Sequence, residues 1–152
     1  MMTSPSPRGF TLLIAVILTA VLLAVGLSLL DTATKQLILA STAKQSELAF
    51  YTADSALECA LYHDQQVGSF SYSTPAASVT CRGQALPLTT SQSSGTRTTT
   101  FTIPCSTGAA GNEAGVAVYK QSNGATAIYA TGWSSCSTSD PRRVERGLKV
   151  TY

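Results

Sequence analysis

The stretch that decides the fold is RGFTLLIAVILTAVLLAVGLSLL, residues 8–30. Residues 10–30 carry no charged side chain, and their apolar run is interrupted only by Thr11, Thr19, Gly26 and Ser28. About 20 apolar residues in an α-helix are enough to cross the hydrocarbon core of a bilayer. The sequence therefore predicts a membrane-spanning helix over residues 10–30.

The residues before this segment predict a leader over 1–9. They include the helix breakers Pro5, Pro7 and Gly9, and Arg8 is their only positive side chain. A positive charge at this boundary favours a cytoplasmic N-terminus, so the chain after Asp31 is expected outside the membrane.

An ordinary secretory signal peptide is the alternative interpretation of the same segment. Ala24, Val25 and Gly26 form a small-x-small cleavage site, which would release a chain that begins at Leu27. Signal peptides have an apolar core of only about 7 to 15 residues. The longer run here favours the membrane-spanning helix.

The helix is expected to continue through residues 31–63 as a polar stalk. This range contains neither Gly nor Pro. Its small and apolar residues recur at spacings of three and four, which is the helical period. The stripe is strongest from Phe50 onward, so we expect the end of the helix to pack against a head domain. Its members are Leu39, Ala43, Ser46, Phe50, Ala53, Leu57, Ala60 and Leu61.

The head, residues 64–152, is expected to be β-rich. Of the 41 residues from 67 to 107, 18 are Ser or Thr, which predicts loop with short strands. Strands are expected over 98–103, 116–121 and 125–131, with a hairpin turn at 122–124. A last strand over 144–152 is expected to be interrupted at Arg146 or Gly147. Three or four antiparallel strands against the helix give an α+β fold.

The chain resembles the type IV pilin and pseudopilin family. The resemblance rests on the leader, the Gly9–Phe10 junction, Thr11 and Leu12 after it, the apolar run and its polar helical continuation. It covers residues 1–63 well and the remainder in general layout. It implies cleavage after Gly9 by a prepilin peptidase, with Phe10 as the N-methylated first residue of the mature chain.

The sequence departs from the major subunits of that family at Ile14. The family carries a glutamate at this fifth mature position, where it meets the N-terminal amine of a neighbouring subunit. A carboxylate at a membrane centre costs about 2.5 to 3.5 kcal/mol, so it is retained only beside a partner charge. Family members without the acid are typically minor subunits that cap or prime a filament, and simple drift is the alternative explanation for Ile14.

Four cysteines, Cys59, Cys81, Cys105 and Cys136, all follow the apolar segment. An exported domain meets oxidising conditions, so two disulfides are expected. The wide spacing and the single histidine in the chain argue against a metal site. Of the three pairings, we predict Cys59 with Cys81 and Cys105 with Cys136, because this pairing closes the shortest loops.

No catalytic signature occurs in the sequence, which contains neither G-x-S-x-G nor H-E-x-x-H nor a Gly-rich phosphate loop. We therefore expect neither an enzyme nor a cofactor. A basic cluster near the end of the chain is a candidate patch for an anionic ligand such as DNA. Charges that blunt an exposed edge strand are the more common explanation. The cluster consists of Arg142, Arg143, Arg146 and Lys149.

These observations lead us to expect a minor type IV pilin-like (pseudopilin) structural subunit, in or at the tip of a pilus or secretion-system filament. Its expected partners are other pilin or pseudopilin subunits, prepilin peptidase and the bacterial inner membrane. It is expected to cross that membrane once with its head outside, and to lie in an extracellular filament afterwards. The alternative is a membrane-anchored or secreted binding module, with DNA as a candidate ligand.

Overall fold

The computed structural model describes residues 8–105 and 111–152. The expected leader falls on residues 1–7, which lie outside the described residues, and on Arg8 and Gly9, which are described only as helical backbone. Within the described ranges the chain has one α-helix, a π-helical turn and seven β-strands. They are α1 (Arg8–Tyr62), the turn His63–Val67, β1 (Ser78–Cys81), β2 (Gln84–Pro87), β3 (Thr89–Ser93), β4 (Thr96–Ile103), β5 (Glu113–Gln121), β6 (Thr126–Trp133) and β7 (Glu145–Thr151).

The described chain divides into two compact units between Ser41 and Thr42. The first unit is helical, and threonine hydroxyls in it donate to carbonyls of the preceding turn, as Thr19 Oγ1 does to the carbonyl of Val16 at 2.9 Å. Such a bond removes the need for water at a polar side chain in an apolar segment. The second unit holds the last turns of α1 and all of the described strands.

The strands of the second unit form two antiparallel sheets. One is the β1–β2 hairpin, and the other has five strands in the order β3-β4-β5-β6-β7. Two of the hairpin turns have left-handed backbone at both central residues, with φ of 52° and 74° at Arg82 and Gly83 and of 46° and 79° at Ser94 and Gly95. This is the geometry that matches the twist of two-residue hairpins. The predicted α+β class is confirmed.

The five-stranded sheet exceeds the three or four strands expected, because β3 pairs with β4 at its edge. The expected interruption of the last strand is wrong, since β7 pairs with β6 continuously from Glu145 opposite Trp133 to Thr151 opposite Ala127. Arg146 is paired opposite Gly132 and Gly147 opposite Thr131, so both hold regular positions in this ladder. The charge of Arg146 does not interrupt the strand, because its side chain stays exposed on an edge strand.

Alanine residues form the face of α1 that meets the sheet. Ala49, Ala53, Ala56 and Ala60 have no exposed surface, whereas Phe50, expected in the packed stripe, is 44% exposed. Of the expected stripe, Ala53 and Ala60 lie in this face and Leu57 is partly buried against the core, whereas Ala49 takes the place expected for Phe50. Small side chains let the sheet approach the helix closely here. The approach is closest at Gly132 on β6, where an added Cβ would collide with the carbonyl oxygen of Ala49 and the backbone of Ala53.

The core lies between this alanine face and the inner face of the sheet. Phe70 stacks on Phe101, with ring centroids 6.0 Å apart and planes 8° from parallel. The other large core side chains alternate along the strands, as expected for a sheet with one buried face. They are Val79, Leu86, Ile103, Val116, Val118 and Ile128.

Candidate functional site

The apolar segment of α1 exposes nearly all of its large side chains. Phe10 is 68% exposed and Leu22 70%. Among the described residues, this helix is the only one long and apolar enough to cross a membrane, and its apolar window buries no surface within the protein. So much exposed apolar surface requires lipid or other protein surfaces around it. The helix is thus compatible with single-pass membrane anchoring.

A shallow depression lies on this segment around Gly26. An added Cβ at Gly26 would meet no atom within 4 Å, so the helix surface is open there. Small residues on apolar helices let neighbouring helices come close. The depression therefore offers a surface for lateral helix packing. Its lining residues are Thr19, Leu22, Leu23, Gly26, Leu27 and Leu30.

The predicted processing site lies in the first turn of α1. Phe10 and Ile14 are four residues apart and share one face of the helix. Ile14 is 41% exposed, less than Phe10. Ile14 therefore presents apolar surface where the pilin resemblance would place a carboxylate.

The four cysteines form the disulfides Cys59–Cys81 and Cys105–Cys136, each with its Cα atoms 6.0 Å apart. This is the sequential pairing that the spacing of the cysteines predicts. The first joins α1 to the end of β1, and the second joins the segment after β4 to the loop after β6. Each disulfide thus joins two segments that are distant in the sequence.

His63 stands beside the first disulfide. A ligand atom of His63 and the sulfurs of Cys59 and Cys81 lie within 4.8 Å of one another. Metal binding by cysteine requires thiolates, and these sulfurs are joined in a disulfide. Both ring nitrogens of His63 also have partners, Ser69 Oγ at 3.2 Å and the carbonyl of Thr80 at 3.1 Å. The arrangement therefore serves to fix the end of the helix against β1.

The residues of the basic cluster do not share one surface. On β7, Arg146 and Lys149 point to opposite faces, since side chains alternate along a strand. Arg146 Nε donates a 2.8 Å hydrogen bond to Ser46 Oγ on α1, while Lys149 Nζ lies 5.0 Å from the ring centroid of Tyr129 on the outer face.

The two remaining arginines of the cluster differ as well. Arg143 pairs with Glu113 at 3.2 Å and lies over the ring of Trp133, with 5.1 Å between Cζ and the ring centroid. Arg142 is exposed, and its backbone N–H donates to Asp140 Oδ1. Three of the four cations are thus engaged within the head, which leaves little charge concentrated for an anionic ligand.

A charge cluster that was not predicted from the sequence forms around Asp64, which is buried in the π-helical turn after α1. Lys120 Nζ lies 2.5 Å from Asp64 Oδ1, and the Asp64 side chain is only 3% exposed. Tyr152 donates a 2.7 Å hydrogen bond to Asp64 Oδ2. Burial, with the hydrogen bond and the negative charge of Asp64, raises the pKa of Tyr152 to about 12.

No local signal could have revealed this cluster, because Asp64 is 56 residues from Lys120 and 88 from Tyr152. The strand period alone places Lys120 on the inner face together with Val116 and Val118. A lysine at an inward position requires a buried acid as partner, and that requirement is the only hint in the sequence.

No family model, curated protein or solved structure matches this chain. The described fold, a long N-terminal helix whose last turns pack on an antiparallel sheet, is compatible with a pilin-like fold.

Proposed function

We propose that this protein is a minor type IV pilin-like (pseudopilin) structural subunit. In this proposal, prepilin peptidase cuts between Gly9 and Phe10, and Phe10 becomes the N-methylated first residue. The mature subunit is held in the bacterial inner membrane by α1 with its head outside. It then enters a pilus or secretion-system filament through contacts with other pilin or pseudopilin subunits.

The observation that carries the proposal is that α1 belongs both to the apolar segment and to the folded head. Its first part exposes a long apolar surface, with Leu12 at 69%, and its last part supplies the buried alanines of the head. A cleaved signal peptide would not need to be continuous with a helix of the folded domain. A subunit that passes from a membrane into a filament needs such a helix, because lipid and neighbouring helices must cover the same apolar surface in turn.

Ile14 supports a minor rather than a major subunit. Without a carboxylate at this position, the chain can offer its own amine at Phe10 but cannot pair with the amine of a neighbour. Such a subunit fits the position at a filament end, where one of the two contacts is not needed. We therefore expect each filament to contain only a few copies of this subunit.

The mature N-terminus tests the proposal. The intact mass of the chain extracted from membranes should correspond to methylated Phe10 through Tyr152. A Gly9→Val variant should keep the full-length mass, because a bulky side chain next to the scissile bond blocks the close backbone approach that glycine allows. The matched control is Gly26→Ala, which meets open space and should be processed as the wild type is.

Two masses would contradict the proposal. A chain that begins at Leu27 would show signal-peptide cleavage, and a chain that begins at Met1 in cells with active prepilin peptidase would show a permanently anchored protein.

A further inference from the structure

Three side chains with metal-binding atoms meet where the end of α1 contacts β1. Cys59 and His63 are four residues apart at the end of the helix and therefore lie on one side of it, and Cys81 is the last residue of β1. A nitrogen of His63 and the sulfurs of Cys59 and Cys81 lie within 4.8 Å of one another. The two cysteines are 22 residues apart in the sequence, so only the fold brings the three residues together.

Two cysteine sulfurs and an imidazole nitrogen form a donor set for zinc. Thiolates and imidazoles bind Zn²⁺ at about 2.3 and 2.0 Å, so the donor atoms around one tetrahedral ion lie about 3.5 to 3.8 Å apart. Rotation of the cysteine side chains can bring the donor atoms to these distances once the sulfurs are no longer bonded to each other. Cys59 and His63 are partly exposed, which leaves access for a water molecule in a fourth position.

His63 already has the hydrogen bonds that orient a metal-binding histidine. Its ring nitrogens contact Ser69 Oγ at 3.2 Å and the carbonyl of Thr80 at 3.1 Å. Such histidines bind the ion through one nitrogen and donate a hydrogen bond from the other, which fixes the ring and its tautomer. A hydroxyl and a carbonyl can both accept a hydrogen bond, so either nitrogen can bind the ion while the other keeps its partner.

An arginine beside the two cysteines favours their thiolate forms. Arg82 follows Cys81, and its Nη2 donates a 2.6 Å hydrogen bond to Ser55 Oγ, one helical turn before Cys59. A nearby positive charge stabilises a thiolate over a thiol. The thiolate is the form of cysteine that binds metal ions, so this cation supports binding.

Two acids flank these residues in the sequence, but neither carboxylate belongs to the group of donor atoms. Glu58 is exposed, and both carboxylate oxygens of Asp64 are bonded to other side chains. The donors are therefore sulfur and nitrogen, which select Zn²⁺ over the hard ions Mg²⁺ and Ca²⁺.

We propose that Cys59, His63 and Cys81 bind one Zn²⁺ ion in the reduced chain. Every chain passes through this state, because cysteines are synthesised as thiols and form disulfides only in an oxidising compartment. The ion joins α1 to β1 before the disulfide does. This binding goes beyond the role of a structural subunit and does not depend on how the N-terminus is processed.

Oxidation exchanges the ion for the disulfide. The two thiolates lose two electrons and form the bond between Cys59 and Cys81, and Zn²⁺ leaves. The electrons pass to the disulfide of an oxidising thiol oxidoreductase, which takes up two protons and becomes two thiols. Because the ion holds the two sulfurs side by side beforehand, it favours their pairing with each other over pairing with Cys105 or Cys136.

Zinc titration of the full-length chain in detergent tests the proposal. The chain is reduced with a phosphine, freed of reductant under argon and titrated against a chromophoric chelator. It should bind one Zn²⁺ per chain, at least about a hundredfold more tightly than the oxidised chain does, because disulfide sulfurs are not thiolates. A large excess of Mg²⁺ should not displace the ion.

A substitution of the histidine assigns the ion to this group of residues. His63→Gln keeps all four cysteines, and its amide can still hydrogen-bond to Ser69 and Thr80. The zinc affinity of the reduced variant should nevertheless fall at least about tenfold, because an imidazole ligand is lost. Gln66→Ala, in the same π-helical turn and exposed, is the matched control and should bind as the wild type does.

Chemical modification of the wild type gives a second measurement. His63 is the only histidine in the sequence, so its reaction with diethyl pyrocarbonate reports on this residue alone. Zinc should slow that reaction in the reduced chain and leave it unchanged in the oxidised chain.

Near-UV circular dichroism should show that the reduced, zinc-bound chain has the fold of the oxidised one, whether or not the metal-free reduced chain is folded. The proposal is wrong if zinc neither binds to nor refolds the reduced chain, or if the oxidised chain binds zinc equally well. Unchanged affinity in a folded His63→Gln variant, or modification of His63 at the same rate with and without zinc, would place the ion on the thiols alone and equally overturn it.

Discussion

Tyr152, the residue directly after β7, donates a 2.7 Å hydrogen bond to Oδ2 of Asp64, in the turn that ends α1. The other carboxylate oxygen of Asp64 receives Lys120 of β5. A single buried carboxylate thus connects the end of the helix, the middle of the sheet and its last strand. Such a group stabilises the fold only while its partners are present.

Lys120→Met should destabilise the head strongly. The variant removes the cation and leaves Asp64 buried with only a tyrosine hydroxyl, a situation that costs about 3 kcal/mol or more. The free energy of unfolding, measured by denaturant titration with Trp133 fluorescence, should fall by that amount. Lys35→Met breaks an exposed pair with Asp31, in which both side chains are at least 64% exposed, and should cost about 0.5 kcal/mol or less.

A double variant separates charge burial from packing in the same experiment. Lys120→Met combined with Asp64→Leu removes both charges and should recover part of the lost stability, because no unpaired ion remains. Equal losses in Lys120→Met and Lys35→Met would show that the Asp64 pair contributes no more than a surface pair.

The stability of the head should fall between pH 10 and about 12. The pKa of Tyr152 rises from its ordinary 10.0 to about 12 on folding, so the folded state holds the phenolic proton more tightly than the unfolded chain does. This contribution is fully present below pH 10 and disappears as the pH passes about 12. Tyr152→Phe has no such proton, so its melting temperature should fall less steeply across this interval than that of the wild type.

The tyrosinate absorbance gives an independent measurement of the same group. The difference between wild-type and Tyr152→Phe titrations should show a tyrosine that ionises near pH 12. A difference curve centred at pH 10 would mean that Asp64 and burial do not perturb Tyr152 in solution.

Gly132→Ala should be among the most disruptive single-atom changes in the head. The added methyl would collide with the backbone of α1 at Ala49 and Ala53, and a backbone cannot rotate out of the way as a side chain can. We expect a loss of about 3 kcal/mol in the free energy of unfolding, at the upper end of overpacking effects. Gly147→Ala is the matched control, since its methyl would come no closer than 3.9 Å to the nearest atom. A similar small effect in both variants would show that α1 and β6 can separate at little cost.

Ile14→Glu should change where the subunit lies in a filament. The new carboxylate could meet the N-terminal amine of a neighbour, so incorporation along the shaft should rise, while membrane insertion weakens by no more than about 2.5 to 3.5 kcal/mol. Immunogold labelling should find a few copies of the wild type at one end of each filament, and the variant along the shaft. If the wild type were labelled uniformly along the filament, in numbers comparable with a major subunit, the loss of the glutamate at position 14 would be simple sequence drift.

The parts of the fold that follow from the sequence are those with a strong local period. The helix is visible in the absence of Pro and in its apolar run, and the β5–β6 hairpin in the alternation around Asn123 and Gly124. The β1–β2 and β3–β4 hairpins are weaker in the sequence because Ser and Thr dominate their strands. Their turns, Arg82-Gly83 and Ser94-Gly95, each place a glycine where the backbone is left-handed, and this is the signal that could have found them.

The face of α1 that packs on the sheet could not be read from hydrophobicity. Phe50 is the more apolar residue, yet Ala49 is the buried one. Burial here depends on how near β6 comes, and that distance is set by Gly132, which lies 83 positions further along the chain. The contact between Tyr119 and Tyr129 is hidden for a related reason, since only the register of β5 and β6 brings the two rings together.

The two disulfides also determine how far the head can stretch under a pulling force. They join cysteines that are 22 and 31 residues apart, and the chain between each pair cannot contribute to extension. At about 3.6 Å per extended residue, the crosslinks together withhold about 190 Å of length from an unfolded head. A head that is pulled until its sheet opens therefore extends by much less than the length of its full chain. It can also refold without searching again for its cysteine partners.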